Sequence, residues 1–228
     1  GKQYGVKVTG TMAHSYIEAH LDESEAFRTF ASLYPDTVLL VDTYDTLEGV
    51  RKVIDLSRML GDDFRVRAVR LDSGDLATLA HESRHMLDEA GLARVQIFAS
   101  GGLDEYSISE LLLAGAPIDA FGVGTGMGVS SDAPALDIAY KLCEYAGEGR
   151  LKLSTGKPIL PGRKQVFRRG NEREYVGDSI GRYHEDLAGR PLLEPVMRNG
   201  RRLSPAAPGL DSIRRYAREQ MSRLPAPV

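Results

Sequence analysis

Short β-branched and apolar runs recur through the first half of this chain, with helical stretches between them. The runs are YGVKVT (4–9), TVLLVD (37–42), RVRAVRLD (65–72), RVQIFAS (94–100) and IDAFGVG (118–124). SYIEAHLDESEAFRTFASL, TLEGVRKVIDLSRML and LATLAHESRHMLDEAG each place apolar residues on one helical face. LDEYSISELLLAGA is shorter and ends at a glycine, as helices often do. Strands that alternate with helices form parallel sheets joined by helical crossovers, as a barrel or an open sheet. The central runs are nearly continuous hydrophobics, as expected for strands covered on both faces.

After about residue 150 the texture changes to Gly, Pro and charge. KQVFRR and REYVGDSI read as antiparallel or edge strands, and PGLDSIRRYAREQMSRL as a closing amphipathic helix. We expect residues 1–149 to form the βα portion that carries the site. Residues 150–228 are expected to form a satellite segment beside it. With 228 residues and a hydrophobic fraction of 42%, the chain has material for a buried core. A formal net charge of -3 gives no electrostatic reason to expect nucleic acid or an anionic membrane as partner. Cys143 is the single cysteine, so no intrachain disulfide forms, which fits a reducing compartment. No apolar run approaches the roughly 20 residues that span a bilayer, and GKQYGVKV lacks the apolar core of a signal peptide. The expected location is the cytoplasm.

In parallel βα folds, ligands meet the loops at the C-terminal ends of the strands. Here those ends read GTMAHS, DTYD, RLDSGDL, ASGGLDE and GVGTGMG. A single aspartate or Gly-Gly at a strand end is usually a cap or a turn. Five such ends on one rim point to a site for a polar, anionic ligand. Glycines let the backbone approach a ligand, and exposed N–H groups at a following helix start bind phosphate. In βα barrels the last two strands often supply that phosphate site. Neither the dinucleotide fingerprint nor a Walker loop is present. Arg70 and Asp72, two apart on one strand, share a face. Arg70 suits a carboxylate, and Asp72 suits ribose hydroxyls or Mg2+; the plain alternative is a structural ion pair.

GTMAHS, LLVDTYDT, RLDSGDL, ASGGLDE, GVGTGMG and LPGRKQVFR, in that order and with similar gaps, resemble nicotinate phosphoribosyltransferase from near residue 4 to near residue 183. The resemblance implies an irregular βα barrel of the type II phosphoribosyltransferases, incomplete in this chain, with a C-terminal satellite layer. It implies formation of nicotinate mononucleotide and pyrophosphate from nicotinate and phosphoribosyl pyrophosphate, coupled to ATP hydrolysis, in NAD salvage. His14 matches the histidine that ATP phosphorylates, Asp42 the carboxylate that orients it and Asp72 the ribose-side acid. Thr11, Ser15, Arg70, Ser73 and Gly74 fall in the substrate-binding motifs, with Ser15 and Arg70 near the nicotinate ring. Gly101, Gly102, Gly124 and Thr125 match the cradle of the 5′-phosphate, and Lys164 matches a position near the same anionic group. Mg2+ is implied as the cofactor, with its ligands left open, and a homodimer as the assembly.

His20, His81, His85 and His184 carry no such match and read as surface or structural residues. Cys143, in the helical-looking run ALDIAYKLCEY, reads as a small buried hydrophobe. Members of the family are longer and begin with a separate N-terminal domain. This chain is therefore expected to be the C-terminal part of a longer enzyme, with an N-terminal half absent. The alternatives are nicotinamide phosphoribosyltransferase, which has a glutamate where this chain has Ala13, and a non-catalytic or partial subunit that needs a partner. An unrelated βα-barrel aldolase is disfavoured, because none of the five strand ends carries a Schiff-base lysine.

Overall fold

The computed structural model describes all residues except 7, 9, 131, 134, 137, 155, 157, 158, 204–207 and 226–228. Its contacts divide the chain into two compact units, Gly1–Pro161 and Gly162–Val228.

The first unit is an α/β layer structure. A short helix α1 (His14–Glu18) and a longer α2 (Glu23–Leu33) precede strand β1 (Val38–Leu40). Helix α3 (Thr46–Leu60) leads to β2 (Ala68–Leu71), α4 (Leu76–Glu89) to β3 (Gln96–Ser100), and α5 (Glu105–Leu113) to β4 (Ala120–Gly122). A single turn of helix, α6 (Thr125–Gly128), follows β4. The strands form one parallel sheet in the order β1-β2-β3-β4, so each helix is the crossover between neighbouring strands. Among the described residues the sheet stays open, as an incomplete portion of a βα barrel.

Burial explains this order. Leu39, Leu40, Val69, Leu71, Ile97 and Ala99 are fully inaccessible. All but Ala99 share one core cluster with Phe27 of α2, Val50, Val53 and Ile54 of α3, and Ala80 and Leu87 of α4. Each large side chain so covered stabilises the fold by about 1.5–3 kcal/mol relative to exposure. Three aspartates set the starts of α3, α4 and α5. The Asp45 carboxylate accepts from the Glu48 N–H at 2.8 Å, Asp75 from Thr78 N–H at 3.2 Å and Asp104 from Ser107 N–H at 2.9 Å. Each satisfies one of the backbone donors that a helix leaves unpaired at its start.

The structure departs from the sequence reading in three places. YGVKVT (4–9) is not a strand in its described residues, and Tyr4, Val6 and Val8 are exposed; Lys7 and Thr9 lie outside the described residues. A strand is held by a hydrogen-bonded neighbour, and the described residues of this run belong to none of the sheets. The stretch 15–33 is two helices, because the Asp22 backbone is extended and its carboxylate caps α2 through the Ser24 N–H at 3.1 Å. The run 135–145 forms no helix in its described residues; Asp137 lies outside them. Leu136, Ile138 and Tyr140 find no face to cover and stay exposed, so the run lacks the buried stripe that stabilises a helix. Cys143 is half-buried, just before a tight hairpin of β5 (Glu144–Tyr145) and β6 (Glu148–Gly149).

In the second unit, β7 (Lys164–Gly170) pairs antiparallel with β8 (Tyr175–Arg182) and with β9 (Arg190–Pro191), as the run KQVFRR…REYVGDSI leads one to expect. Arg168 forks onto Asp178 across the hairpin, with both bonds at 2.8 Å. A small hairpin, β10 (Met197–Arg198) with β11 (Arg201–Arg202), turns at Asn199-Gly200, both at positive φ. Helix α7 (Leu210–Met221) follows, and Gln220 accepts the Tyr175 hydroxyl at 2.7 Å.

One glycine fixes how α3 lies on the sheet. A Cβ at Gly49 would stand 2.2 Å from the Val41 carbonyl oxygen, so α3 approaches the end of β1 more closely than any side chain allows. Gly49→Ala is expected to lose about 2–3 kcal/mol of stability through overpacking, read as a lower urea midpoint with an unchanged slope.

Candidate active site

The parallel register assembles the site. Leu40 pairs with Arg70, and the ladder continues through the Val41 N–H, which donates to the Arg70 carbonyl at 3.2 Å. Two residues further along both chains, Asp42 and Asp72 come side by side. Leu71 pairs with Ala99, which brings Ser100 beside Asp72. In DTYD and DSGD alike, the first aspartate of the pair, Asp42 or Asp72, enters the site. The second, Asp45 or Asp75, caps the following helix. Gly74, at φ +83°, makes the turn between Ser73 and Asp75 that lets one short segment do both.

His14 opens α1. Met12 and Ile17, both buried, pin its segment to the core on either side. The imidazole Nδ1 lies 3.0 Å from the Thr43 hydroxyl. Its Nε2 is buried without a hydrogen-bond partner, 3.9 Å from Asp42 Oδ1 and 3.9 Å from Asp72 Oδ2. Asp42 is 1% exposed; its Oδ2 accepts from the Ser73 hydroxyl, and its Oδ1 is an orphan turned to His14. The hydrogen bond that orients the ring therefore comes from Thr43, while Asp42 acts on the ring by charge at a distance.

Arg70 is held at three points. Its Nε donates to Ser100 Oγ at 3.0 Å, Nη1 to the Thr11 hydroxyl, and Nη2 to Asp72 Oδ1 at 3.2 Å. Ser100 in turn donates to Asp72 Oδ1 at 2.7 Å. A guanidinium has five N–H donors, so two remain, one on each terminal nitrogen, suited to an incoming carboxylate. Thr11, His14, Asp42, Arg70, Asp72 and Ser73 thus form one connected cluster.

Ser15 is exposed beside His14 and lines a small cavity with it. Gly101 and Gly102 follow β3 at positive φ, and Gly124 precedes α6. Gly102 and Thr125 line an open cavity of about 730 Å³ with Asp104 and Gly126. Lys164 belongs to the second unit, where its ammonium donates to the Gly162 carbonyl at 2.7 Å. His20 accepts from or donates to no catalytic group and bonds the Tyr16 carbonyl at 2.9 Å, and His85 faces Glu89 at 3.4 Å on α4.

Sequence reasoning missed four participants. Thr43 adjoins a chosen residue, and Ser100 lies within a quoted motif; only the sheet register gives either a role. The Ser154 hydroxyl donates to the Asp42 carbonyl, and the Leu153 N–H donates to the Thr43 carbonyl at 3.1 Å, so residues 153 and 154 close over the end of β1. Glu18, 1% exposed, has no distinctive neighbour in the sequence.

His14, Asp42 and Asp72 bring one donor atom each within 4.8 Å of one another. Mg2+ takes oxygen ligands and is poorly served by imidazole. The orphaned Asp42 Oδ1 and the Asp72 carboxylate suit it, and His14 does not.

Over residues 1–141 the chain matches the family described as quinolinate phosphoribosyl transferase, C-terminal domain, and it belongs to that family. It is 57% identical to nicotinate phosphoribosyltransferase pncB2 of Mycobacterium tuberculosis, over 98% of this chain and 48% of that protein. It is 41% identical to nicotinate phosphoribosyltransferase of Bacillus subtilis, over 82% of this chain and 40% of that one. The chain spans about half the length, or less, of these curated relatives. Crystal structures of nicotinate phosphoribosyltransferases from Porphyromonas gingivalis (TM-score 0.55, 24% identity, 69% of this chain and 45% of that one) and Vibrio cholerae (TM-score 0.57, 21% identity, 70% and 42%) share its fold.

The division of labour between paired aspartates is testable. Asp45→Ala removes a cap and is expected to cost about 1 kcal/mol in urea unfolding while leaving ligand affinity at the His14 cluster unchanged by calorimetry. Asp42→Asn is expected to reverse that pattern, with a small effect on folding and a large one on ligand affinity.

Proposed function

We propose that this chain carries the active site of a nicotinate phosphoribosyltransferase. The observation that carries the reading is the buried, unpartnered His14 Nε2, held between Asp42 and Asp72 beside a triply anchored Arg70. The relatives' names supply the substrate class.

Arg70 would receive the nicotinate carboxylate on its two remaining N–H donors. Asp72, steadied by Arg70 and Ser100, would accept ribose hydroxyls of phosphoribosyl pyrophosphate. The N–H groups around Gly101, Gly102, Gly124 and Thr125 would take the 5′-phosphate, since backbone donors at glycine loops suit that anion. The pyridine nitrogen then attacks the anomeric carbon. The new C–N bond forms as the C–O bond to pyrophosphate breaks, and the electron pair leaves with pyrophosphate. Positioning and charge neutralisation carry such a step, with no covalent catalyst at carbon. Mg2+, when bound by Asp42 and Asp72, would supply positive charge to the phosphates.

His14 is proposed as the group that couples ATP to the transfer. With Nδ1–H donated to Thr43, the Nε2 lone pair is the nucleophile. The N–P bond forms as the bond from the γ-phosphorus to the ADP oxygen breaks. Ala13 in place of a glutamate favours nicotinate over nicotinamide as the base.

Mixing the protein with Mg2+, ATP, phosphoribosyl pyrophosphate and equal nicotinate, nicotinamide and quinolinate should give nicotinate mononucleotide alone by chromatography. A different mononucleotide would overturn the substrate assignment. His14→Asn should lose ATP hydrolysis and raise KM for phosphoribosyl pyrophosphate while leaving slow, ATP-independent transfer. Arg70→Lys, which cannot fork, should raise KM for nicotinate by about tenfold or more.

A further inference from the structure

One buried acid near His14 has no part in that mechanism. Glu18 ends α1, four residues after His14, which places the two side chains on one face of the helix. It is 1% exposed, and its Oε2 has no hydrogen-bond partner. Both residues line a cavity of about 140 Å³ that is separate from the phosphate-side cavity. Lys141 and Lys152 line it as well, and Lys152 is itself 1% exposed. An acid left buried without a full set of partners is costly and calls for an explanation.

Burial pushes the Glu18 carboxyl above its ordinary range. A protonated His14 would act against that rise most strongly, followed by the charges of Lys152 and Lys141. Among the described residues the other titratable groups near it are Tyr140, which lines the same cavity, and Tyr44, whose hydroxyl feels Glu18 and Glu23 and, in the opposite sense, Arg150. A protonated His14 would thus be the charge that Glu18 senses most.

We infer that Glu18 is a positioning residue for His14, and that its carboxylate limits how long a phosphoryl group stays on that imidazole. The inference rests on the phosphohistidine reading above. Loss of the group to water breaks the N–P bond and forms an O–P bond. The imidazole nitrogen takes up the proton that water gives up, and inorganic phosphate leaves. An ionised Glu18 favours this twice. It repels the phosphoryl oxygens, and it stabilises the protonated imidazole, which is the better leaving group. A protonated Glu18 does neither. As pH rises through the elevated Glu18 midpoint, the carboxylate form grows, so its effect on the lifetime grows too.

The test compares the native protein with Glu18→Gln, which keeps the shape and lacks the charge. Each is labelled with radioactive γ-phosphate from ATP, the ATP is removed, and label on histidine is followed at several pH values. Phosphohistidine is acid-labile in both proteins, so the ratio of lifetimes is the readout. The ratio of Glu18→Gln to native should be near one well below the Glu18 midpoint and rise to about three- to tenfold as pH passes above it, the midpoint being the one read by the NMR titration below. A ratio of one throughout would overturn the inference and leave the phosphohistidine reading intact. A native protein that takes no label would overturn that reading and this inference with it. A second measurement needs no ATP: the Glu18 carboxyl titration by carbon NMR in native protein and in His14→Gln. Removing His14 should raise the Glu18 midpoint, and an unmoved midpoint would end the inference whatever the labelling gives. A purely structural Glu18 would change the urea midpoint of Glu18→Gln and neither of these readouts.

Discussion

The site depends on one carboxylate that water cannot reach. Asp42 stands at the end of β1 with 1% of its surface exposed. A bare ion in that position is expensive unless its lone pairs find partners. Ser73 satisfies one oxygen from the next strand's loop, and Ser154 and the Leu153 N–H satisfy the carbonyls of residues 42 and 43 from far along the chain. The other carboxylate oxygen is left facing His14. Loop and returning segment therefore both close on the end of β1, the loop on the Asp42 carboxylate and the returning segment on the backbone carbonyls beside it. The one partner they withhold is the one a ligand or a cation can supply.

Much of this was legible beforehand, and the reasons differ by element. α3 reads directly, because TLEGVRKVIDLSRML carries its apolar stripe and Asp45 just before it supplies the cap, and the helix spans the same residues, Thr46–Leu60. The central strands read well because burial on both faces leaves no polar alternation to confuse them. YGVKVT misled because alternation reports only that a segment is able to pair, and pairing needs a neighbour. ALDIAYKLCEY misled in the same way, since helical spacing has no consequence without a surface to cover. The paired aspartates were visible as a group, but only the register shows which one of each pair caps a helix and which one enters the site.

The residues hardest to foresee act through distance in the chain. Ser154 and Asp42 lie 112 residues apart, and no local pattern links them. Thr43 looks like any strand-end threonine until α1 lays His14 against it. Glu18 looks like an ordinary helical glutamate until its helix is packed. Motifs report the residues proposed to meet the ligand, because those sit in glycine-rich and acidic loops of distinctive composition. The residues that hold the first set in place have ordinary neighbours, and the folded chain alone identifies them.

This has a consequence for how Arg70 is read. Three of its five donors are bound to Thr11, Ser100 and Asp72, which come from the segment before α1 and from the ends of β3 and β2. An arginine anchored from three directions has little rotamer freedom left to lose on binding, and it keeps one N–H donor on each terminal nitrogen. A flexible lysine would have to be ordered by the ligand itself, at a cost of about 1–2 kcal/mol in side-chain entropy. The same anchoring ties Arg70 to Asp72, so on the proposed function a ligand carboxylate on the guanidinium and a ribose on the carboxylate would be placed relative to each other by one pair. Orientation of two reactants would then be built into the folded chain, which is what the proposed displacement, with no covalent catalyst, requires.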